Sequence, residues 1–283
     1  MSLALSIMLW PILACVVLAG IHVYFGQHVI RRGVIFVDLS LAQIAAFGST
    51  IAFLFNVELD STAAYFLSLG FAFVGAMIFA LARSREHEIP QEAIIGITYA
   101  VATAAAVLAV ARQPEGAEHI KAILVGSILT VTPDIVAKTA AVYAIIGLLH
   151  WFWRRPLWTI TSDPLQARRE NLPVRLWDFL FYGSFAVVVT SSVKIVGVLL
   201  VFSLLVVPGT AAIFVTSAQR ARLIFGWIFA VVVCVLGMFL SFWANWPPGA
   251  TIVALFGVAL VVCALWGRLR RGSGDTGSPA GVG

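Results

Sequence analysis

The sequence predicts an all-α integral membrane protein, a polytopic bundle of about nine helices within a range of eight to ten. Three observations predict it. Of 283 residues, 61% are apolar and 11% charged, against about 45–50% and about 25% in an ordinary soluble domain. A mean hydropathy of +1.01 leaves too little polar side chain to cover a compact particle in water. The apolar runs are long and continuous, as spanning helices of roughly 20 residues require, whereas an outer-membrane barrel shows segments of about 10 alternating residues. A soluble globule and a barrel are thereby excluded. The loops left over are too short for a soluble catalytic domain.

Charge, Pro or Gly bounds each span. The first, 5–25, lacks a basic leader and a small-residue cleavage site, so it is read as a retained helix. The second, 34–55, follows Arg31-Arg32 and ends before Glu58 and Asp60; the third, 62–82, ends before Arg83 and Arg85. The fourth, 91–111, lies between Pro90 and Arg112, and the fifth, 133–153, between Pro133 and Arg154-Arg155. The sixth and seventh, 176–193 and 195–215, meet at Lys194. The eighth, 223–243, follows Arg222, and the ninth, 249–267, runs from Pro247-Pro248 to Arg268. Pro208-Gly209 interrupts the seventh and is expected to break that helix near its middle. Ala122 to Val131 is too short to cross and reads as a re-entrant or interfacial piece.

An external N-terminus puts fourteen of the 18 Lys and Arg, from Arg31-Arg32 to Arg268-Arg271, on one side, which the positive-inside rule makes cytoplasmic. Arg112, Lys121, Lys138 and Lys194 fall opposite. The net charge of +5 therefore reflects membrane topology rather than nucleic-acid binding. Glu58, Asp60, Glu115, Glu118 and His119 fall outside, in solvated loops or on a docking rim. Cys15, Cys234 and Cys263 lie within apolar runs without metal or redox spacing and read as core residues. Residues 1–271 form one transmembrane unit, and the Gly- and Ser-rich 272–283 is expected to be a disordered cytoplasmic tail.

The longest cytoplasmic connection, RRPLWTITSDPLQARRENLPVRLWD, is punctuated for a helix of about two turns over 164–170. Ser162 or Asp163 caps it, Pro164 opens it, and Asn171 supplies a left-handed stop before Pro173. So short a helix is not stable alone and must lie on something, either headgroups or a cytoplasmic motor subunit. The run S-D-P-x-x-A-x-x-x-N-L-P at 162–173 resembles the coupling segment of the ABC type-3 permeases, the membrane subunits of bacterial zinc, manganese and iron importers. The likeness extends to Val193–Val201, to LLVVPGTAA at 204–212 and to Trp246-Pro247-Pro248-Gly249-Ala250-Thr251, covering about 20–266. It implies a type II ABC importer-like fold in which Asp163, Pro164, Ala167, Arg168, Arg169 and Asn171 couple to an ATPase. It further implies a second permease copy, two cytoplasmic ATP-binding subunits and an external substrate-binding protein. No G-x-x-x-x-G-K-[ST] run occurs, so the chain is read as a non-enzymatic subunit whose ATP is bound by a partner.

Ionisable groups within spans point to function by default. Asp38 sits about 6 Å into the second span, at 1.5 Å per residue, and either pairs with Arg31 or Arg32 or lines the path. His22, near the end of the first span, reaches a similar depth if the two helices form a tight hairpin. Imidazole, carboxylate and the amide of Gln43 then make a candidate set for a transported divalent metal. The resembling family usually carries D-x-x-x-H here; aligned on Gly48, its Asp falls on Leu39 and its His on Gln43. Asp38 and Gln43 are separated by about 140° on a helix and do not share a face. This departure implies an altered, weaker transit site or a different cargo. His28 and His87 fall in connections, His150 ends the fifth span, and Asp178 reads as an acid at a positive helix end. The break at Pro208-Gly209 either packs as a kink or forms part of a gate.

The expected function is therefore the permease of an ABC importer for a divalent transition metal, zinc foremost, in a bacterial inner membrane, with a cytoplasmic C-terminus. The alternatives are import of another cargo such as a metal chelate, or a gradient-driven secondary carrier. No resident cofactor and no nucleic acid are expected, and no catalytic cluster converges at one depth.

Overall fold

Backbone amides have no water to bond in hydrocarbon, and apolar runs satisfy them internally as helices. The computed structural model describes residues 3–58, 61–82, 89–111 and 124–272. Asp60, Arg83, Arg85, His87, Glu115, Glu118, His119 and the tail 273–283 lie outside the described residues. The helices are α1 Leu3–Arg32, α2 Val37–Leu54, α3 Thr62–Ala82, α4 Gln91–Val110 and α5 Pro133–Phe152. A 3-10 turn, Ile128–Thr130, precedes α5; then follow α6 Arg154–Ser162, α7 Pro164–Arg169, α8 Val174–Val215, α9 Gln219–Ala244 and α10 Pro248–Gly272.

Eight of these are long and apolar enough to cross a membrane. One of the eight, α8, has 42 residues, about 63 Å of helix and twice the thickness of a bilayer core. Its contacts show that it crosses twice. Within 174–196, Asp178, Phe181, Phe185 and Ser192 meet Arg32, His28, Phe25 and His22 of α1 in turn, so this half is antiparallel to α1. Within 198–215, Leu205 lies against Gly26 and Gly209 against Ile30, so this half is parallel to α1. The chain reverses at Gly197, whose φ of 77° and ψ of 164° suit glycine almost alone.

The helix break therefore lies at Gly197 and not at Pro208-Gly209, where the helical backbone continues. Proline's fixed φ fits a helix at the cost of one hydrogen bond, whereas reversal needs a positive φ that proline cannot adopt. The segment 124–131 lies across the turn, its Ser127 N–H donating to Ile195 O at 3.3 Å. Gly126, with φ +67°, sits so close that a Cβ on either glycine would overlap the other strand of backbone. The described part of the short piece expected at 122–131 is thus tucked against the reversal.

Small residues set the other seams. Gly226 of α9 faces Val23 of α1; antiparallel four-residue steps bring Ala19 to Ala230 and Cys15 to Cys234, all buried. Gly48 lets α2 lie on Ser68 and Phe71 of α3, and Gly75 of α3 faces Leu41 and Ile44. Because α1 uses its small face on α8 and α9 while α2 packs on α3, α4 and α8, the expected α1–α2 hairpin does not bring His22 to Asp38. The first helix also runs on to Arg32, so His28 is buried within it rather than lying in a connection. With α8 counted as two, nine described segments are long enough to cross, and Arg31 and Arg32 of α1 meet α6 and the start of α8 at one end of the bundle, its basic end.

Candidate functional site

At the basic end, local chemistry builds a rigid projection. Asp163 Oδ1 accepts from the N–H groups of Leu165 (3.1 Å) and Gln166 (2.9 Å), while Pro164 takes the first position, where no amide is needed. Asn171, with φ 53°, ends α7, and the Leu172 N–H returns to Ala167 O at 3.0 Å. Ala167 alone in this helix is buried; Arg168, Arg169 and Glu170 are exposed, and Leu165 is 64% exposed. This is the helix expected from the sequence, ending one residue sooner.

Beneath it lies α6, which the sequence reading left as irregular connection. Leu157, Ile160 and Thr161 are its buried face, and their i, i+3, i+4 spacing was the available signal. That face packs on α1, α5 and α8. Removing the cap in Asp163→Ala is expected to loosen α7 by about 1 kcal/mol, read as faster amide exchange across 164–170 with an unchanged overall melting temperature.

The buried histidines are hydrogen-bonded within the bundle. His22 Nδ1 lies 2.7 Å from Leu18 O, which only accepts, so Nδ1 carries the proton, and Nε2 lies 3.1 Å from Ser192 Oγ, whose hydroxyl also donates to Val188 O at 2.6 Å. Tyr143 completes this cluster on Ser192. Lower in the wall, His150 bonds Ser184 through Nε2 (2.7 Å) and Tyr24 through Nδ1 (3.1 Å). His28 Nδ1 meets Thr161 Oγ1 at 2.9 Å, and Thr161 accepts from Arg32 Nε at 3.0 Å.

Asp38 differs from all of these. It is 1% exposed, and neither carboxyl oxygen has a hydrogen-bond partner among the described residues. The expected partner Arg32 is instead bound to Asp178 at 2.8 Å. The N–H of Phe36, at the entry to α2, is met by Glu92 Oε1 at 3.0 Å. Ser40 Oγ, Thr190 Oγ1 and Gln27 Nε2 are also buried without partners, and Gln43 is 7% exposed. The sequence reading missed Gln27, Ser40 and Thr190, which carry no charge to mark them. Gly209 lies beside Gln27 as well as Ile30. No group of three His, Cys, Asp or Glu that could hold a metal occurs among the described residues.

A multi-pass helical bundle with buried polar groups, and with a capped two-turn helix at one end, has the architecture of a membrane transport subunit. The model of the ABC 3 transport family matches residues 4–267, and the chain belongs to that family. It is similar to a probable iron transport system membrane protein of Haemophilus influenzae, 24% identical over 269 residues and 93% of each chain. A manganese transport system membrane protein of Halalkalibacterium halodurans is 24% identical over 253 residues, 87% of this chain and 84% of that one. The fold is that of a chain in the structure of PsaBC from Streptococcus pneumoniae in complex with Fab. That match has a TM-score of 0.76 and 20% identity over 93% of this chain and 95% of that one.

Proposed function

We propose that this chain is the permease subunit of an ABC importer that moves a divalent transition-metal ion, or its chelate, across a bacterial inner membrane. It works as a homodimer with ATP-binding subunits docked on α7 at the cytoplasmic end, where its C-terminus also lies, and with a substrate-binding protein outside. The observation that carries this reading is α7 itself, a capped projection with an exposed leucine between exposed charges. A two-turn helix is ordered only by what it rests on, and Leu165 gains by burial in a partner's groove. Asp163, Pro164, Ala167, Arg168, Arg169 and Asn171 form this coupling element.

The cargo follows from the donors. The unpartnered atoms of Asp38, Ser40 and Thr190 are oxygens and that of Gln27 is an amide nitrogen, while His22 already bonds Leu18 and Ser192. Oxygen donors suit manganese and iron(II) better than zinc, which prefers nitrogen and sulfur. This moves the expectation from zinc toward the metals in the names of the relatives. In proteoliposomes holding the complete importer, ATP-driven uptake is expected for manganese or iron(II) above zinc. Leu165→Asp is expected to weaken binding of the ATP-binding subunit on the order of a hundredfold. Uptake that needs no ATP-binding subunit, or Leu165→Asp complexes that assemble normally, would overturn the proposal.

A further inference from the structure

The coupling helix touches the bundle through α6, and the end of α6 is held by one buried cluster. Arg32 closes α1, Asp178 lies in the first turns of α8, and Thr161 sits two residues before the Asp163 cap. Arg32 uses two of its three guanidinium nitrogens: Nη1 donates to Asp178 Oδ1 at 2.8 Å and Nε to Thr161 Oγ1 at 3.0 Å, while Nη2 is buried without a partner among the described residues. Its plane lies over Phe181, 4.0 Å from the ring centroid. The side chains of the ion pair are 2% and 0% exposed, and His28 closes the cluster on Thr161 at 2.9 Å.

Burying an ion pair at the membrane boundary is costly, and well-packed apolar side chains are often as stable. What such a pair supplies is fixed position, because a forked donor holds two acceptors at set angles. Here the fork ties α1 to α6 and α8, the two elements that flank the coupling helix. Above it, the same wall of α1, α5 and the first half of α8 is fastened by His150 with Ser184 and Tyr24, and by His22 with Ser192 and Tyr143. These fastenings continue toward the level of Gly197.

We infer that the Arg32, Asp178 and Thr161 cluster is the joint that makes α7, α6, α1 and the first half of α8 move as one body, so that displacement of the coupling helix reaches the far end of the wall. These are positioning residues and touch no cargo. The inference rests on the importer reading, and its test separates the two. Thr161→Val removes the hydroxyl without changing side-chain shape or the ion pair. Arg32→Lys keeps a cation for Asp178 but lacks the second arm.

Both variants are measured in the complete importer for ATP hydrolysed per ion imported, and in the isolated permease for amide exchange over 154–172. Loss of one arm is expected to raise the ATP cost per ion roughly threefold in Thr161→Val and about tenfold in Arg32→Lys. Exchange over 154–172 quickens and the melting temperature falls, because Arg32 Nε and His28 Nδ1 lose their partner in Thr161→Val, while total ATP hydrolysis holds. A wild-type stoichiometry in both variants overturns the joint, whether or not exchange changes, since faster exchange alone marks a merely structural contact. Wild-type importer without ATP-driven uptake overturns the importer reading and the joint with it. Arg32→Lys keeps the question open to measurement should Thr161→Val fail to assemble.

Discussion

Gly197→Val is expected to leave almost no correctly folded permease. Two costs add at this position. The backbone holds φ 77° and ψ 164°, a region open essentially to glycine, and a β-branched residue there costs about 1–3 kcal/mol in strain. The new Cβ would also overlap the backbone of Val125 and Gly126, and neither neighbour is a flexible side-chain tip that can swing aside. Overpacking adds roughly another 1–3 kcal/mol. Against a total stability of about 5–15 kcal/mol, the sum is large enough to lower the yield of monodisperse protein in detergent and the melting temperature together. Gly126→Val is expected to behave alike, because its Cβ meets the Gly197 amide and the end of Val196. Pro208→Ala is the control: it restores a helical amide where the backbone is already helical, and its melting temperature should stay near wild type. A Gly197→Val protein that melts with the wild type would mean that the reversal is not built on this glycine.

Asp38→Leu is expected to separate stability from transport. A buried carboxyl whose two oxygens find no partner costs about 1–3 kcal/mol relative to an apolar group of similar size, and more if it is charged. Removing it should therefore raise the melting temperature of the isolated permease. The same change removes the one carboxylate buried in α2 and is expected to lower metal uptake at least about tenfold, the trade expected of a residue retained for function. Had Asp38 anchored the entry to α2 through Arg31 or Arg32, the sign would reverse, and Asp38→Leu would melt earlier. Uptake at the wild-type rate would remove Asp38 from the path, and Gln43→Leu then becomes the next variant to measure.

The parts that were legible share one property: they are decided by residues close together in the chain. A helix in lipid must satisfy its own amides, so each apolar run declares a crossing. The charge asymmetry between loops declares direction. The two-turn projection was legible because its cap, its first proline and its left-handed stop act within four residues of the groups they serve. The amphipathic α6 is harder to read, because its one apolar face, Leu157, Ile160 and Thr161, spans barely two turns and begins beside two arginines and a proline.

Three features were decided only when the chain closed on itself. Glycine permits a positive φ without demanding it, so nothing local distinguishes Gly197 from Gly209. The difference is that Gly126 approaches one of them, while the Ile30 side chain lies against the other. Arg32 chooses Asp178, 146 positions away, over the nearer Asp38, since α1 spends its small face on α8 and α9. Asp38 forms no ion pair with the arginines of α1 because α2 is packed among α3, α4 and α8 and Arg32 is taken by Asp178. Composition and local hydrogen bonding thus settled that this chain is a multi-pass helical membrane protein with a capped two-turn helix at one end of the bundle. Which polar groups are spent on the scaffold and which are left over depends on long-range contacts, and those follow from where two backbones approach closely enough to exclude a side chain.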